Sequence, residues 1–203
     1  MLQTEYRMSF TTGGLFYRES ILLTELFLAG RSWDEVGGIV LVDNLLQSRT
    51  ESTAKRILKE VTTRVSRLTE RQLRLLLSGS RPEQNYILWL SVCKHYAFIR
   101  KFAVEVLREK YLCLENVLNH SDYDLFFTHL SGWHAKLEQL SSSTVKKNRS
   151  VLFRIMREAE LLSTQNLIIP ALFTKELASV IADDDASLFT CYPISDRDIK
   201  EFL

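Results

Sequence analysis

The sequence predicts an all-α protein, a predominantly helical bundle. Three observations carry that prediction. The 203 residues include only 7 Gly and 3 Pro, little material for the sharp turns of an all-β chain. Apolar residues recur at a spacing of about 3.6 residues through most of the chain. Ser or Thr followed three positions later by Glu or Gln appears repeatedly where such a segment begins, which marks capped helix starts. Apolar residues make up 46% of the chain, enough for a substantial core. The length suits one large domain or two lobes. A change of character after residue 113 divides the chain into an N-terminal helical lobe, 1–113, and a C-terminal helical lobe, 114–203, unless both form one compact unit.

Gly13-Gly14 precedes a helix over about 15–29, closed by Gly30. Ser32 and Glu35 have capping-box spacing and start a helix reaching Leu46. Gly37 and Gly38 weaken its first turns by about 1 kcal/mol each relative to Ala. A helix over 52–68 follows. Thr69 and Gln72 start a short helix that Gly79 ends, and Ser80 and Glu83 repeat the device with Pro82 in the tolerated first turn. An aromatic-rich helical stretch then runs to about Leu112, broken once. "HSDYD" at 120–124 reads as a loop, followed by a helix over 125–139, an "SSS" linker at 141–143 and a helix over 144–162. "NLIIPALF" and "SLFTCYPI" are short β-like runs flanking a small helix near 175–182. Their pairing predicts a short β-hairpin near the C-terminus. There is no fixed-period repeat and no low-complexity tract.

The net charge of +1 conceals an asymmetry. From Arg49 to Arg81 nine basic residues face three acids, and from Lys146 to Arg157 five face none. These stretches carry +6 and +5, so the remainder carries −10. An anionic partner responds to such local charge more than to the total.

On a helical wheel, Ala54, Ile57, Leu58, Val61, Val65 and Leu68 form one face of the 52–68 helix. Lys55, Arg56, Lys59 and Arg67 share the opposite arc with Ser52, Thr63 and Ser66, whose hydroxyls are short donors suited to phosphate oxygens. Glu60 lies four residues from both Arg56 and Arg64, so part of the charge is paired internally. The 144–162 helix repeats the design. Val151, Leu152, Ile155, Met156, Ala159 and Leu162 form its apolar face, opposite Lys146, Lys147, Arg149, Ser150, Arg154 and Arg157, with Phe153 at the edge. Each stripe taken alone reads first as a solvated face. Two of them, with acid concentrated elsewhere, bring a nucleic-acid surface level with that reading. "LLQSRTESTAKR" has some features of a helix-turn-helix, but its break is long and lacks Gly, and no Asn or Gln stands in the first turns to read adenine. Phosphate gripping fits better than base reading.

Other functions find little support. No apolar run approaches the roughly 18–20 residues that span a bilayer. The best candidate, "LFYRESILLTELFLAG", carries Arg18, Glu19 and Glu25, which also spoil it as a signal peptide. Cys93, Cys113 and Cys191 are odd in number and form no CxxC, which fits free thiols in a reducing cytosol. His129 and His134 are five apart and face different ways, unlike a metal pair. The "DDD" at 183–185 reads as a solvated loop before a Mg²⁺ site, and Cys93 and His95, two apart on a helix, do not face each other. No phosphate-binding glycine motif or nucleophile elbow is present. The expectation is a non-enzyme with no catalytic residue, no metal and no cofactor. "KHYAFIRKF" at 94–102 reads as core helix with snorkelling bases before it reads as a base-stacking platform, and Trp33, Trp89 and Trp133 read as packing residues.

"TTGGLFYRES", "SWDEV", "NLLQSRTESTAKRIL", "VLREKYL" and "STVKKNRSVLFRIMREAELL", in this order and spacing, resemble the BrxA family of BREX phage-exclusion systems, from about residue 10 to 195. The resemblance implies a cytoplasmic, all-helical accessory protein of phage defence, a fold similar to the antitermination factor NusB, and binding to double-stranded DNA. It implies partners among the other BREX components, namely a methyltransferase, an ATPase and a phosphatase-like protein, with no membrane. RNA follows as a further candidate partner from the fold analogy. In that family pattern a Gly often follows "EA", where this chain has Glu160, a departure that bears on how the local helix ends. The family supplies no catalytic motif. The helical wheel alone nominates Lys55, Arg56, Lys59, Arg67, Lys146, Lys147, Arg149 and Arg154 as phosphate contacts. An operon regulator and a protein-only assembly adaptor are the competing readings.

Overall fold

The computed structural model describes residues 6–10 and 13–202, so Thr11 and Thr12 of the "TTGG" motif lie outside the described residues. The chain is all-α. In order it forms α1 (Tyr17–Leu28), α2 (Trp33–Val42), α3 (Glu51–Val65), α4 (Glu70–Ser78), α5 (Arg81–His95) and α6 (Ala97–Phe102). A π-helical turn, Ala103–Arg108, leads into α7 (Glu109–Leu112). Then come α8 (His120–Ser131), α9 (Ala135–Glu138), α10 (Ser142–Glu158) and α11 (Lys175–Asp185). A 3₁₀ turn, Ala186–Cys191, precedes α12 (Asp196–Phe202).

Helix α5 is the centre. Its middle, 86–93, is apolar on nearly every face and is covered on every side, with Asn85 through Cys93 buried. α3, α4 and α10 pack around it, with α1 laid across α3 and α4. Trp89 Nε1 donates to the Cys191 carbonyl at 2.9 Å and Tyr192 Oη to the Tyr86 carbonyl at 2.8 Å, so the C-terminal segment is fastened to the same helix. Tyr96, at φ −107° and ψ 98°, makes the single break between α5 and α6. Phe98 and Phe102 then stack edge-on against Phe126 of α8.

The capping boxes at Ser32, Thr69 and Ser80 form as their spacing predicts. Several boundaries differ from expectation. α2 stops at Val42 because Asn44 turns left-handed, at φ 46°, and its side chain accepts the Ser48 N–H at 3.1 Å. The "HSDYD" segment is helix, not loop. Asn119 is the N-cap of α8, and Asp122 accepts the Asn119 N–H at 2.6 Å, so the acids expected to make a turn instead start the helix. α10 ends at Glu158, and Glu160 sits at φ 60°, a backbone conformation that glycine takes without strain. Glu160 is held there by Asn85, whose Nδ2 donates to its carboxylate at 3.0 Å.

The expected C-terminal hairpin does not form. Among the described residues the only β pairing is two isolated antiparallel bridges, Val117 with Leu167 and Leu162 with Ile168. "NLIIPALF" thus pairs with the segments before α8 and after α10. "SLFTCYPI" cannot join it as a strand. Asp185 caps Ser187 N at 2.8 Å and winds this run into a 3₁₀ turn, leaving Ala171 N to Pro193 O as a lone hydrogen bond between the two runs.

Candidate nucleic-acid interface

Thr50 starts α3 by accepting the Thr53 N–H at 3.2 Å. Ala54, Val61 and Val65 anchor the helix in the core, which leaves Lys55, Arg56, Lys59 and, just past the last turn, Arg67 exposed. Lys55 Nζ lies 2.5 Å from Glu51, both well exposed, a pair of the weak surface kind. Glu60, spaced to reach Arg56 or Arg64, goes to Arg64, whose Nη2 is 2.6 Å from its carboxylate. Arg64 is buried, its Nη1 donates to the Gly14 carbonyl at 2.8 Å, and Tyr96 Oη donates to Glu60 at 2.5 Å. Arg64 is therefore structural, and Arg56 is left without an acid among the described residues. Lys59 and Arg67 likewise make no ion pair with a described residue.

Ser141 caps α10 by accepting the Thr144 N–H at 3.2 Å. Lys146 and Lys147 project from the first turns, exposed and without an ion pair among the described residues. Arg149 is drawn to Asp124 of α8 and is only 19% exposed. Arg154 is half exposed, with Nε 3.9 Å from Glu158. Arg157 donates to Asn166 at 2.5 Å, and Phe153 is fully buried, not at the edge of the stripe. The hydroxyls between the cations bond to their own helix: Thr63 donates to the Lys59 carbonyl at 2.5 Å and Ser150 to the Lys146 carbonyl at 3.0 Å.

The two helices both pack on α5, and their C-terminal ends are fastened to adjacent residues of one loop. Arg64 of α3 holds the Gly14 carbonyl, and Glu158 of α10 accepts the Leu15 N–H at 2.5 Å. Lys55 and Arg56 lie on the first half of α3 with Lys59 just past its middle, and Lys146 and Lys147 lie at the start of α10. Arg154 stands about 10 Å further along α10. There it joins Arg18 and Arg81 around an open cavity of about 650 Å³ at the start of α1. The helical wheel did not single out Arg18 and Arg81. The available signal was the Gly-Gly pair ahead of α1 with Arg18 just beyond it.

Of the other bases in the 49–81 stretch, Arg71 and Arg74 are neutralised, while Arg49 and Arg81 make no ion pair with a described residue. Arg74 pairs with Glu70 at 2.5 Å, and Arg71 pairs with Asp183. The Asp183–Asp185 run is a clasp: Asp184 holds Lys94 at 2.7 Å and Asp185 lies 3.7 Å from Arg100, tying α11 to α4, α5 and α6. No group of three His, Cys, Asp or Glu side chains that could hold a metal occurs among the described residues. His134 packs edge-on against Tyr6, and His129 is exposed on α8. Cys93 is buried, which pushes its thiol well above the ordinary range, and burial also lowers the His95 pKa. The aromatics of "KHYAFIRKF" are core, with Tyr96, Phe98 and Phe102 fully buried. Trp133 departs from the packing expectation and is 74% exposed. No described helix is long and apolar enough to cross a membrane.

Comparison with known proteins identifies the relatives. The BrxA family profile matches residues 4–185. A "BREX protein BrxA" of Bacillus cereus (strain H3081.97) is 26% identical over 160 residues, 79% of this chain and 80% of that protein. Another of Escherichia coli O9:H4 (strain HS) is 25% identical over 155 residues, covering 75% of this chain and 71% of that one. A crystal structure of an uncharacterized protein from Magnetospirillum magneticum shares the fold with a TM-score of 0.77 at 18% identity, covering 92% of this chain and 97% of that one.

Proposed function

The chain belongs to the BrxA family, and from that membership and its surface we propose a BREX phage-defence component that holds double-stranded DNA by its phosphates. The observation that carries the reading is a set of five exposed cations without a carboxylate partner among the described residues: Arg56, Lys59, Arg67, Lys146 and Lys147. An exposed, unpaired cation gains most from a phosphate, because it has no internal ion pair to give up. Lys55 and Arg154 join them at small cost, since their pairs are exposed and weak. Arg149 contributes less, being committed to Asp124. Thr50 is occupied as a cap and no Asn or Gln stands in the first turns of α3, so the grip does not read sequence.

In this reading the protein is a non-enzymatic, cytoplasmic accessory that brings the methyltransferase, ATPase or phosphatase-like components of the system onto DNA. Gel shifts with duplex DNA, duplex RNA and single strands test it. Duplex DNA of any sequence is retained at physiological salt, and Lys59→Glu with Arg67→Glu weakens retention on all sequences while the protein stays folded. Preference for a single promoter sequence supports an operon regulator instead. Absence of retention with stable co-purification of another component supports a protein adaptor, and equal retention of duplex RNA widens the ligand class.

A further inference from the structure

The cavity at the start of α1 brings together three helices remote in sequence: Arg18 from α1, Arg81 from α5 and Arg154 from α10 line the same void. Its volume of about 650 Å³ suits a nucleotide-sized ligand. Arg81 is held in place, its guanidinium lying 3.3 Å from the centroid of the Tyr17 ring. That ring is fixed in turn by its hydroxyl, which donates to Gln84 at 2.5 Å. Stacking of this kind occupies the flat face of the guanidinium and leaves its N–H edge free for an anion.

Two acids share the wall, Glu19 and Glu158. Glu158 is already engaged by the Leu15 N–H at 2.5 Å and more loosely by Arg154 at 3.9 Å. The floor is backbone: a Cβ at Gly14 would overlap the Glu158 carboxylate, and Gly13 has φ 117°. No side chain caps α1, whose N-cap is Phe16. Its first N–H groups add partial positive charge at the same end. The three arginines outnumber the two carboxylates, so the lining keeps one positive charge that an anion would offset.

We infer that this cavity binds a phosphate monoester, its dianion held among Arg18, Arg81 and Arg154. This site overlaps the duplex grip at Arg154 alone, since Arg18 and Arg81 take no part in that reading. The monoester comes either from a free nucleotide or from the 5′-phosphate at a strand end.

Calorimetric titration with inorganic phosphate and with adenosine monophosphate tests the site, alongside competition between 5′-phosphorylated and 5′-hydroxyl oligonucleotides. Saturable phosphate or nucleotide binding is expected, weakened about tenfold or more by Arg18→Ala with Arg81→Ala. It is unchanged by Lys59→Glu with Arg67→Glu. Arg81→Lys, which keeps the charge and loses the fork, weakens it less than Arg81→Ala. Circular dichroism verifies that each variant is folded. Preference for the 5′-phosphorylated strand with weak nucleotide binding marks the strand end as the source; the reverse marks a free nucleotide. Absence of binding by all monoester probes overturns the proposal. So does binding that survives loss of both arginines, or binding abolished by the α3 variant. Failure of duplex binding alone leaves the monoester result intact and counts against the duplex grip only.

Discussion

Thr174 Oγ1 donates to Glu83 Oε1 at 2.5 Å, joining the caps of two helices. Glu83 is also the capping-box acid of α5, accepting the Ser80 N–H at 2.7 Å, while Thr174 accepts the Leu177 N–H at the start of α11. The Thr174 and Ser80 bonds hold the Glu83 carboxyl below its usual pKa. Its contribution is therefore complete above the unfolded value of about 4.3 and is lost as pH falls through the lower folded value. Glu83→Ala is expected to cost about 2 kcal/mol, lowering Tm by roughly 4–8 °C at pH 7. Scanning calorimetry checks the value, and the gap from wild type should narrow on acidification.

Arg64 and Arg56 sit on the same helix with opposite roles. Removing Arg64 leaves Glu60 and the Gly14 carbonyl without their buried cation, and Arg64→Ala is expected to cost about 3 kcal/mol or more. Arg56→Ala, at an exposed site without an ion pair, should change stability by no more than about 0.5 kcal/mol. Urea denaturation of the two variants measures the difference.

The elements most legible in the sequence were those fixed locally. The capping boxes at Ser32, Thr69 and Ser80 need only residues three apart, and each formed. What could not be read was set by distant partners. "NLIIPALF" has strand-like composition, yet its partners are the segments beside Val117 and Leu162. Glu60 was equally spaced from two arginines, and burial against Tyr96 and Gly14 selected Arg64. The stripes on α3 and α10 were legible as charge. Which cations remained unpaired was not, because Asp124 reaches Arg149 from α8, just as Asp183 reaches Arg71 on α4 from α11. "HSDYD" offered both turn and cap residues, and Asn119 with Asp122 resolved it as a helix start.

Gly14 and Glu158 are coupled by contact. Gly14→Ala places a Cβ against the carboxylate that holds the Leu15 N–H. The expected cost is about 1–3 kcal/mol, shrinking when Glu158→Ala clears the space. A double-mutant cycle in urea measures that coupling, and additive effects would contradict the contact.

His95 links stability to pH above the acid range. Burial lowers its pKa, with Arg67, Arg64 and Arg7 acting in the same direction and Glu60 against them. The folded state resists a proton that the unfolded chain accepts near about 6.5. Its contribution is level above that pH and turns destabilising below it. Between about pH 7 and pH 5 the Tm of wild type should fall more steeply than that of His95→Asn, as thermal melts across that window will show.

The salt dependence of duplex binding tests the central claim most directly. If Arg56, Lys59, Arg67, Lys146 and Lys147 each neutralise a phosphate, log K falls against log salt with a slope of about −4 to −5. Lys59→Ala with Arg67→Ala should reduce it to about −2 to −3, by fluorescence anisotropy of a labelled duplex. A flat response in wild type, or an unchanged slope in the variant, would contradict the account.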